Sequence, residues 1–287
     1  MYPSRFHYEA PSSVDEALQL LTMYQGEAKV LSGGMSLIPM MKLRLAAPEH
    51  LVDLRALKDL NYIREAGGQL HIGATASHYD IESSALLRQK CPLLTETAAA
   101  IGDVQVRNLG TIGGSVAHAD PAADYPAALQ ALEAKFVLRS EKSERTLSAA
   151  DLFVDALTTA LQPGEILSEV IVPIDDTRTG TSYLKMAQPA SGFAIVGVAA
   201  RVRQNAGKIS FVRIGVTGLS NRAYRATAAE KALEGKTGSA ADIQSAAALV
   251  ARGVDANSDL HASADYRKHL AVVHAARALK TALSRIA

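Results

Sequence analysis

The sequence predicts an α+β protein in which strands and helices are partly segregated along the chain. Its 287 residues, 48% of them hydrophobic, are enough for a substantial core in one large or two medium domains. Strand-like and helix-like segments are mixed before residue 173, whereas two long strand-like segments precede three helical ones after residue 180. Residues 173–180 are polar and turn-rich, so we expect the domain boundary there.

The first elements are predicted to be a helix and a strand that leads into two glycines. Ser13, with Glu16 three residues later, forms a capping-box pattern ahead of apolar residues at helical spacing, and this helix should end near Gly26. Residues 28–31 have the pattern of a short strand that continues into Ser32–Ser36, a Ser-Gly-Gly-Met-Ser segment. A strand followed by a glycine pair is typical of a turn that faces a ligand.

The middle of the chain predicts further strands and a second glycine-rich segment. Gly67-Gly68 should be the turn of a hairpin, and residues 81–101 should be helical. Residues 106–115 contain the second glycine pair, and a helix should follow Pro126. The expected strands cover residues 51–54, 62–64, 70–72, 136–138 and 166–172.

Beyond the expected boundary, residues 193–202 and 208–217 form a predicted hairpin around Asn205-Ala206-Gly207. Three helices should follow, over residues 226–233, 240–251 and 265–284.

Charge and cysteine content exclude several classes of function. Lys plus Arg (30) nearly cancels Asp plus Glu (29), so no broad positive field favours nucleic acid or an anionic membrane surface. The N-terminus lacks the apolar core of a signal peptide, and we expect a cytoplasmic protein without membrane insertion. Because Cys91 is the only cysteine, this chain cannot supply four cysteines to an iron–sulfur cluster, and the scattered histidines predict no metal site.

The two glycine segments have the chemistry of a dinucleotide site. Glycine lets the backbone approach a diphosphate closely and tolerates positive φ, so backbone amides and hydroxyl groups can bind the anion without Lys or Arg. Either segment alone is more often an ordinary turn, but the chain has two. We therefore expect valine at Gly33 or Gly113 to abolish cofactor binding and leave the chain folded. No Rossmann or P-loop motif is present in the sequence.

Three ordered motifs carry a resemblance to a known family: residues 32–42, residues 107–115, and Pro163-Gly164-Glu165-Ile166-Leu167. Over essentially its full length the chain resembles the medium, FAD-binding subunit of the xanthine dehydrogenase and carbon monoxide dehydrogenase family of molybdenum hydroxylases. This implies a two-lobed FAD-binding module of the vanillyl-alcohol oxidase and p-cresol methylhydroxylase type over residues 1–176, with subdomains of about 1–55 and 56–176. A smaller α+β C-terminal domain of the carbon monoxide dehydrogenase flavoprotein type would cover residues 177–287.

The resemblance also implies which residues contact FAD. The first glycine segment contributes Ser32, Gly33, Gly34, Met35 and Ser36; the second contributes Gly110, Thr111, Ile112, Gly113, Gly114 and Ser115; and single residues elsewhere are Ile101, Asp124, Leu167, Lys185 and Phe193. Core packing is an equally good interpretation of Ile101 and Leu167, and a solvated surface charge is the alternative for Asp124 and Lys185. No catalytic base, nucleophile or metal ligand is assigned.

Three places in the sequence bear on the comparison with the carbon monoxide dehydrogenases of this family. Phe193 stands where these enzymes have an aromatic residue beside the isoalloxazine; it can stack on the ring but cannot donate a hydrogen bond to it. Residues 186–189, Met-Ala-Gln-Pro, replace a basic run, which weakens an assignment to carbon monoxide as substrate. Ser32 replaces a more frequent alanine, and its hydroxyl should be tolerated beside phosphates.

The family role is electron transfer in an oxidoreductase, because a flavin can collect single electrons and release a pair. Electrons would come from [2Fe–2S] clusters on a small subunit, supplied by a large molybdopterin-cofactor subunit, and would leave to an external acceptor. The expected assembly is a dimer of heterotrimers acting on carbon monoxide, aldehydes, xanthine or N-heteroarenes. The alternatives are a self-contained flavin oxidase and a nucleotide-binding regulatory protein without redox activity.

Overall fold

The computed structural model describes residues 2–286. The N-terminal lobe is a three-stranded parallel sheet of order β1-β3-β2. Its elements are β1 (His7–Glu9), α1 (Val14–Met23), β2 (Ala28–Leu31), α2 (Leu37–Lys42) and β3 (His50–Asp53). The Ser13 hydroxyl caps α1 by accepting a hydrogen bond from the Glu16 amide, at 3.1 Å. The Glu16 carboxylate accepts from the Ser12 amide and not from Ser13, so the predicted capping box is only half formed.

A second lobe follows, after a 3₁₀ turn at Lys58–Leu60, and is built on a five-stranded antiparallel sheet of order β4-β5-β10-β6-β7. Its strands are β4 (Ile63–Ala66), β5 (Gln69–Gly73), β6 (Lys135–Arg139), β7 (Glu144–Ser148) and β10 (Ile166–Pro173), beside the small pair β8 (Phe153–Asp155) and β9 (Thr158–Thr159). Its helices are α3 (His78–Ser83), α4 (Ala85–Lys90), α5 (Pro92–Ala99), α6 (Val104–Leu109), α7 (Ile112–His118), α8 (Asp124–Ala131) and α9 (Ala149–Leu152). The main core lies between this sheet and these helices, around Leu70, Ile72, Leu129 and Phe136.

Two predictions for this lobe need correction. The helical stretch 81–101 is interrupted twice, because Ser84 adopts an extended conformation that caps α4 and Pro92 begins α5. The second glycine segment is not a loop: Gly110 separates α6 from α7, and Thr111 caps α7 by accepting a hydrogen bond from the Gly114 amide. Gly113 and Gly114 therefore belong to the first turn of a helix.

The C-terminal part is a four-stranded antiparallel sheet, β11 to β14 in sequence order, packed against three helices. The strands are β11 (Thr179–Ala187), β12 (Ala194–Asn205), β13 (Lys208–Thr217) and β14 (Tyr224–Arg225), and the helices are α10 (Thr227–Leu233), α11 (Ala240–Ala247) and α12 (Ala264–Ser284). The hairpin and the three helices confirm the predicted element types. The turn-rich segment ends before Thr179, where β11 begins, and Gly180 pairs with Val202 in the sheet. Residue 180 is glycine because a Cβ there would stand 1.8 Å from the Ala282 carbonyl oxygen of α12.

The C-terminal sheet packs directly on α8 of the second lobe. A Cβ on Gly215 of β13 would lie 1.9 Å from the Ala127 carbonyl oxygen, so backbone meets backbone at this junction. Asp175 and Arg201 form a buried ion pair beside it, at 2.7 Å. This packing brings β11 and the turn before β12 to the start of α8, where the site is built. The α+β fold class is confirmed, and within residues 2–286 no helix is long and apolar enough to span a membrane.

Candidate functional site

A cavity of about 760 Å³ lies where the two N-terminal lobes and the 191–193 turn meet. Most of the residues predicted to contact FAD line it: Ser32, Gly33, Gly34, Met35, Ser36, Ile101, Gly110, Thr111, Gly113, Gly114, Ser115, Asp124, Leu167 and Phe193. The chain thus gathers both glycine segments and four residues distant in sequence around one space. Of the predicted residues, Ile112 and Lys185 do not line the cavity.

The Ser32–Ser36 segment provides the free backbone donors of the site. It connects β2 to α2, and Gly34 has a φ of +73°, which places it in the left-handed region that favours glycine. Within residues 2–286, none of the amides from Gly33 to Ser36 donates a hydrogen bond to another protein group. Adjacent unpaired amides in a turn of this kind form an anion-binding concavity. This segment has the donors that a diphosphate requires.

The second glycine segment contributes differently from what its sequence predicted. The Ile112 amide donates to Ala76 and the Gly113 amide to Ala74, while those of Gly114 and Ser115 are bonded to Thr111. These four amides are already paired, whereas the four amides from Gly33 to Ser36 are not. The second segment offers hydroxyl groups, and the Thr111 hydroxyl is hydrogen-bonded to Ser32 at 2.9 Å, which joins the two segments.

Gly33 and Gly113 mainly allow distant segments of the chain to pack closely against each other. A Cβ on Gly33 would lie 2.1 Å from the Leu109 carbonyl oxygen, and one on Gly113 would lie 2.5 Å from Ala74. Neither residue has a positive φ. The expectation that valine at these positions removes only the cofactor is therefore wrong, because the added side chain would strike protein backbone.

Ile112 is fully buried in the core of the second lobe, and its amide is paired as well. The structure gives it no position on the cavity wall, so its prediction as a contact residue is corrected. An apolar residue in the first turn of α7 faces the core because the opposite side of that turn faces the cavity.

Asp124 and Lys185 form a buried ion pair at the start of α8, at 3.0 Å. The Tyr183 hydroxyl donates to the same carboxylate, and the Lys185 ammonium also donates to the Gly192 carbonyl oxygen at 2.6 Å. Both charged side chains are less than a tenth exposed, which excludes the solvated-surface alternative. Burial raises the pKa of Asp124, and Lys185 and Tyr183 counteract part of that rise. Lys185 therefore reaches the cavity only through Asp124 and the turn that carries Phe193.

The remaining predicted residues form apolar walls. Leu167 is buried in β10, next to a register shift, while Ile101 is half-buried and Phe193 is 42% exposed at the cavity edge. The Arg107 guanidinium donates to the Ile101 carbonyl oxygen at 3.1 Å and pairs with Glu82, so it fixes the backbone of this wall.

The cavity has polar residues that sequence reasoning missed, chiefly Thr75, His78 and Asp120. Thr75 Oγ1 and His78 Nδ1 are enclosed and have no hydrogen-bond partner among residues 2–286. The available signal was the run of small residues from Gly73 to Ser77, where a strand ends and a capped helix begins. Buried polar atoms without partners are rare in native proteins, but Thr75 Oγ1 and His78 Nδ1 are enclosed by protein and not by the cavity; it is the free backbone amides of the first segment that indicate a polar ligand.

Comparison with known proteins identifies that ligand. Residues 4–175 match the model of the FAD binding domain in molybdopterin dehydrogenase, and residues 181–282 match that of the CO dehydrogenase flavoprotein C-terminal domain. The chain belongs to this family. It is an oxidoreductase subunit whose cofactor is FAD, and the free amides, hydroxyl groups and apolar walls of the cavity fit that group.

The relatives match over the whole chain. The medium chain of carbon monoxide dehydrogenase from Hydrogenophaga pseudoflava is 39% identical over 287 residues, covering 100% of both chains. The glyceraldehyde dehydrogenase medium chain of Sulfolobus acidocaldarius is 34% identical and covers 98% of this chain and 99% of its own. A solved structure of carbon monoxide dehydrogenase from Hydrogenophaga pseudoflava superposes with a TM-score of 0.98 at 42% identity, covering 100% of both chains.

One side of the FAD cavity is held in place by the ion pair between Arg145 and Glu165. The turn Gln162–Glu165 lines the cavity, and the Arg145 guanidinium binds the Glu165 carboxylate through two hydrogen bonds, at 2.7 and 2.8 Å. Arg145 also donates to the Ala160 carbonyl oxygen, and Glu165 accepts from the Gln162 amide. Both ends of the turn are thus fixed by one guanidinium–carboxylate pair.

We expect Glu165→Gln to release FAD about fivefold faster, corresponding to roughly 1 kcal/mol for a partly exposed bidentate pair. The Arg145 hydrogen bonds lower the pKa of Glu165 below its ordinary 4.5. This stabilisation is therefore fully present above pH 4.5 and is lost as the pH falls through the lowered pKa. Flavin fluorescence after dilution measures the release rate. Acid should accelerate FAD release less in Glu165→Gln than in the wild type, because the variant has no carboxylate to protonate. An equal effect of acid on the two release rates would contradict the role given to Glu165.

Proposed function

We propose that this chain is the FAD-binding electron-transfer subunit of a heterotrimeric molybdenum hydroxylase. The observation that carries the proposal is the FAD cavity, which residues of this chain line and which combines free amides at one segment with apolar walls at another. The full-length similarity to medium chains of two dehydrogenases supports the same role. FAD would supply the chemistry, taking up electrons singly and passing them on in pairs.

The residues that would hold FAD divide by chemistry. We propose that the amides of Gly33 to Ser36 bind the diphosphate, with the Ser32 and Thr111 hydroxyls beside it. Ile101, Leu167 and Phe193 would form the apolar surfaces for the isoalloxazine ring. The cavity wall between the diphosphate and the ring would be formed by the remaining predicted contacts, Met35, Gly110, Gly113, Gly114 and Ser115. The Asp124–Lys185 pair would fix the turn that carries Phe193.

The proposed partners rest on the similarity to medium chains of dehydrogenases. The one cysteine of this chain is insufficient for a [2Fe–2S] cluster, so the cluster that would reduce FAD would belong to a separate small subunit. A large subunit with the molybdopterin cofactor would oxidise the substrate, and two such heterotrimers would associate in the cytoplasm. We also propose that the FAD-binding domain covers residues 1–176 and the C-terminal domain residues 177–287, with the buried Asp175–Arg201 pair at their junction.

Purification of the native complex through an affinity tag on this chain tests the proposal. Two further chains should copurify, one with iron and acid-labile sulfide and the other with molybdenum, and the flavin should be reduced anaerobically by the substrate of the large subunit. Removal of those two chains should abolish that reduction. A yellow protein that purifies alone and is reduced directly by an organic substrate would instead support a self-contained oxidase. A colourless protein without partners would support a regulatory nucleotide-binding role.

A further inference from the structure

His78 has an unusual position at the junction of the two glycine segments. It is the first residue of α3, which Ser77 caps, and its backbone amide donates to the Gly110 carbonyl oxygen at 2.8 Å. The side chain is 4% exposed and lines the FAD cavity. One backbone bond thus ties this histidine to the residue that precedes Thr111.

The imidazole ring also explains why residue 110 is glycine. A Cβ on Gly110 would lie 2.5 Å from His78 Nε2 and 2.8 Å from Cδ2, so no side chain fits while the ring occupies this place. The other side of the ring faces Tyr125, with ring centroids 5.3 Å apart and planes tilted by 60°. The ring is therefore fixed between α8 and the start of the second glycine segment.

The nitrogen atoms of this fixed ring lack protein partners. Within residues 2–286 neither nitrogen is hydrogen-bonded to another protein group. Nδ1 is enclosed by protein atoms, so a molecule in the cavity does not reach it. Nε2 is not enclosed in this way, and it is the nitrogen through which the ring can meet a ligand of the cavity. An apolar side chain of similar size would avoid the cost of burying an unpaired imidazole, so its presence beside a cofactor cavity needs an explanation.

We propose that His78 is an FAD-binding residue, whose Nε2 hydrogen-bonds to a polar group of the cofactor while its ring holds Gly110 and Thr111 in place. This deepens the proposed function and rests on FAD occupying the cavity. The partner on FAD is an uncharged donor or acceptor, such as a sugar or ribityl hydroxyl or a ring carbonyl. Burial and the nearby Arg107 lower the pKa of His78 to about 4, so the ring is neutral at physiological pH and does not act as a counter-charge for phosphate.

A purely structural histidine and an FAD-binding histidine respond differently to phenylalanine. His78→Phe keeps a ring against Tyr125 and removes both nitrogen atoms. In the flavin-free complex it should unfold at the same temperature as the wild type or higher, because the unpaired atoms are gone. Its affinity for FAD should nevertheless fall about tenfold, as expected for one lost hydrogen bond of about 1.4 kcal/mol.

Two further variants make the test specific. His78→Gln, which keeps a donor and an acceptor, should recover part of the FAD affinity. His274→Phe is the control: His274 is buried in α12, and its Nδ1 is hydrogen-bonded to the Leu270 carbonyl oxygen at 2.9 Å. This control should lose thermal stability and keep its flavin, which is the reverse of the His78→Phe pattern.

The measurements are the FAD dissociation constant of the reconstituted complex, the visible circular dichroism of bound flavin and the unfolding temperature with and without FAD. Wild-type affinity and an unchanged flavin spectrum in His78→Phe would overturn the inference. Equal losses in His78→Phe and His78→Gln, with lower stability of both flavin-free proteins, would make His78 a packing residue only. Iron, molybdenum and copurifying chains should be unchanged in every variant, which separates this test from that of the electron-transfer role.

Discussion

Valine at Gly33 is expected to disrupt the folded chain, and not only its flavin site. Even the first atom of the new side chain would stand 2.1 Å from the Leu109 carbonyl oxygen and 2.6 Å from the Gly110 Cα. Both are backbone atoms, so no rotamer change can relieve the clash, and the lobes would have to separate. We expect a loss of more than about 4 kcal/mol in the free energy of unfolding.

Gly67→Val is the matched control for this substitution. Gly67 lies in the β4–β5 hairpin turn with a φ of +56°, and a Cβ there would meet nothing within 4 Å. It carries the backbone strain of a left-handed residue without a steric clash, which costs about 1–2 kcal/mol. Thermal unfolding, limited proteolysis and flavin content of the purified complex measure both effects. A Gly33→Val protein that unfolds like the wild type but lacks flavin would restore the earlier, purely local interpretation of this glycine.

The sequence predicted the fold well where periodicity was unambiguous. The α1 helix, the β4–β5 hairpin, the β12–β13 hairpin and α12 were recognisable because each has a regular apolar pattern and clear turn or capping residues. The strand β11 was not predicted, because its neighbours determine its extent: Gly180 had the composition of a turn but pairs with Val202 in the sheet.

The glycine segments show where local reasoning fails. From the sequence, Gly33, Gly110 and Gly113 could equally serve a bound phosphate or a neighbouring backbone, since both require a residue without a Cβ. The structure assigns them to Leu109, His78 and Ala74, contacts between segments that are distant along the chain or in different elements. Such contacts are tertiary, and no short motif encodes them.

The opposite error concerns charged and polar residues. Asp124 and Lys185 are 61 positions apart, so their pairing was invisible in the sequence, and a surface location was a reasonable alternative. His78 was overlooked for a similar reason: a single histidine at a helix start is uninformative until its unpaired nitrogen is seen beside a cavity. Motifs located the site, whereas the polar groups that complete it required the fold.

Removing one charge of the Asp124–Lys185 pair should have the second large effect. Asp124→Asn would leave the buried Lys185 ammonium with only neutral oxygens around it, those of the Gly192 carbonyl and of the new side-chain amide. Lys185→Met would leave the Asp124 carboxylate with only the Tyr183 hydroxyl as a donor. An unpaired charge in such a place costs about 3–5 kcal/mol of unfolding free energy. Both variants should also retain less FAD, because the turn that carries Phe193 is no longer fixed by Lys185. Urea unfolding and the flavin-to-protein ratio measure the two losses.

The double variant Asp124→Asn with Lys185→Met distinguishes pairing from independent roles. It removes both charges, so it should be more stable than either single variant by about 1–3 kcal/mol, even though it has two changes. The exposed pair Asp15–Arg139 provides a control, since Asp15→Asn should cost less than about 1 kcal/mol. Losses that simply add in the double variant would show that the two charges act separately. Recovered stability without recovered flavin would show that the pair also serves the cofactor site. In that case FAD binding would need the Lys185 ammonium to hold the Gly192 carbonyl beside Phe193, whereas the free energy of unfolding would not.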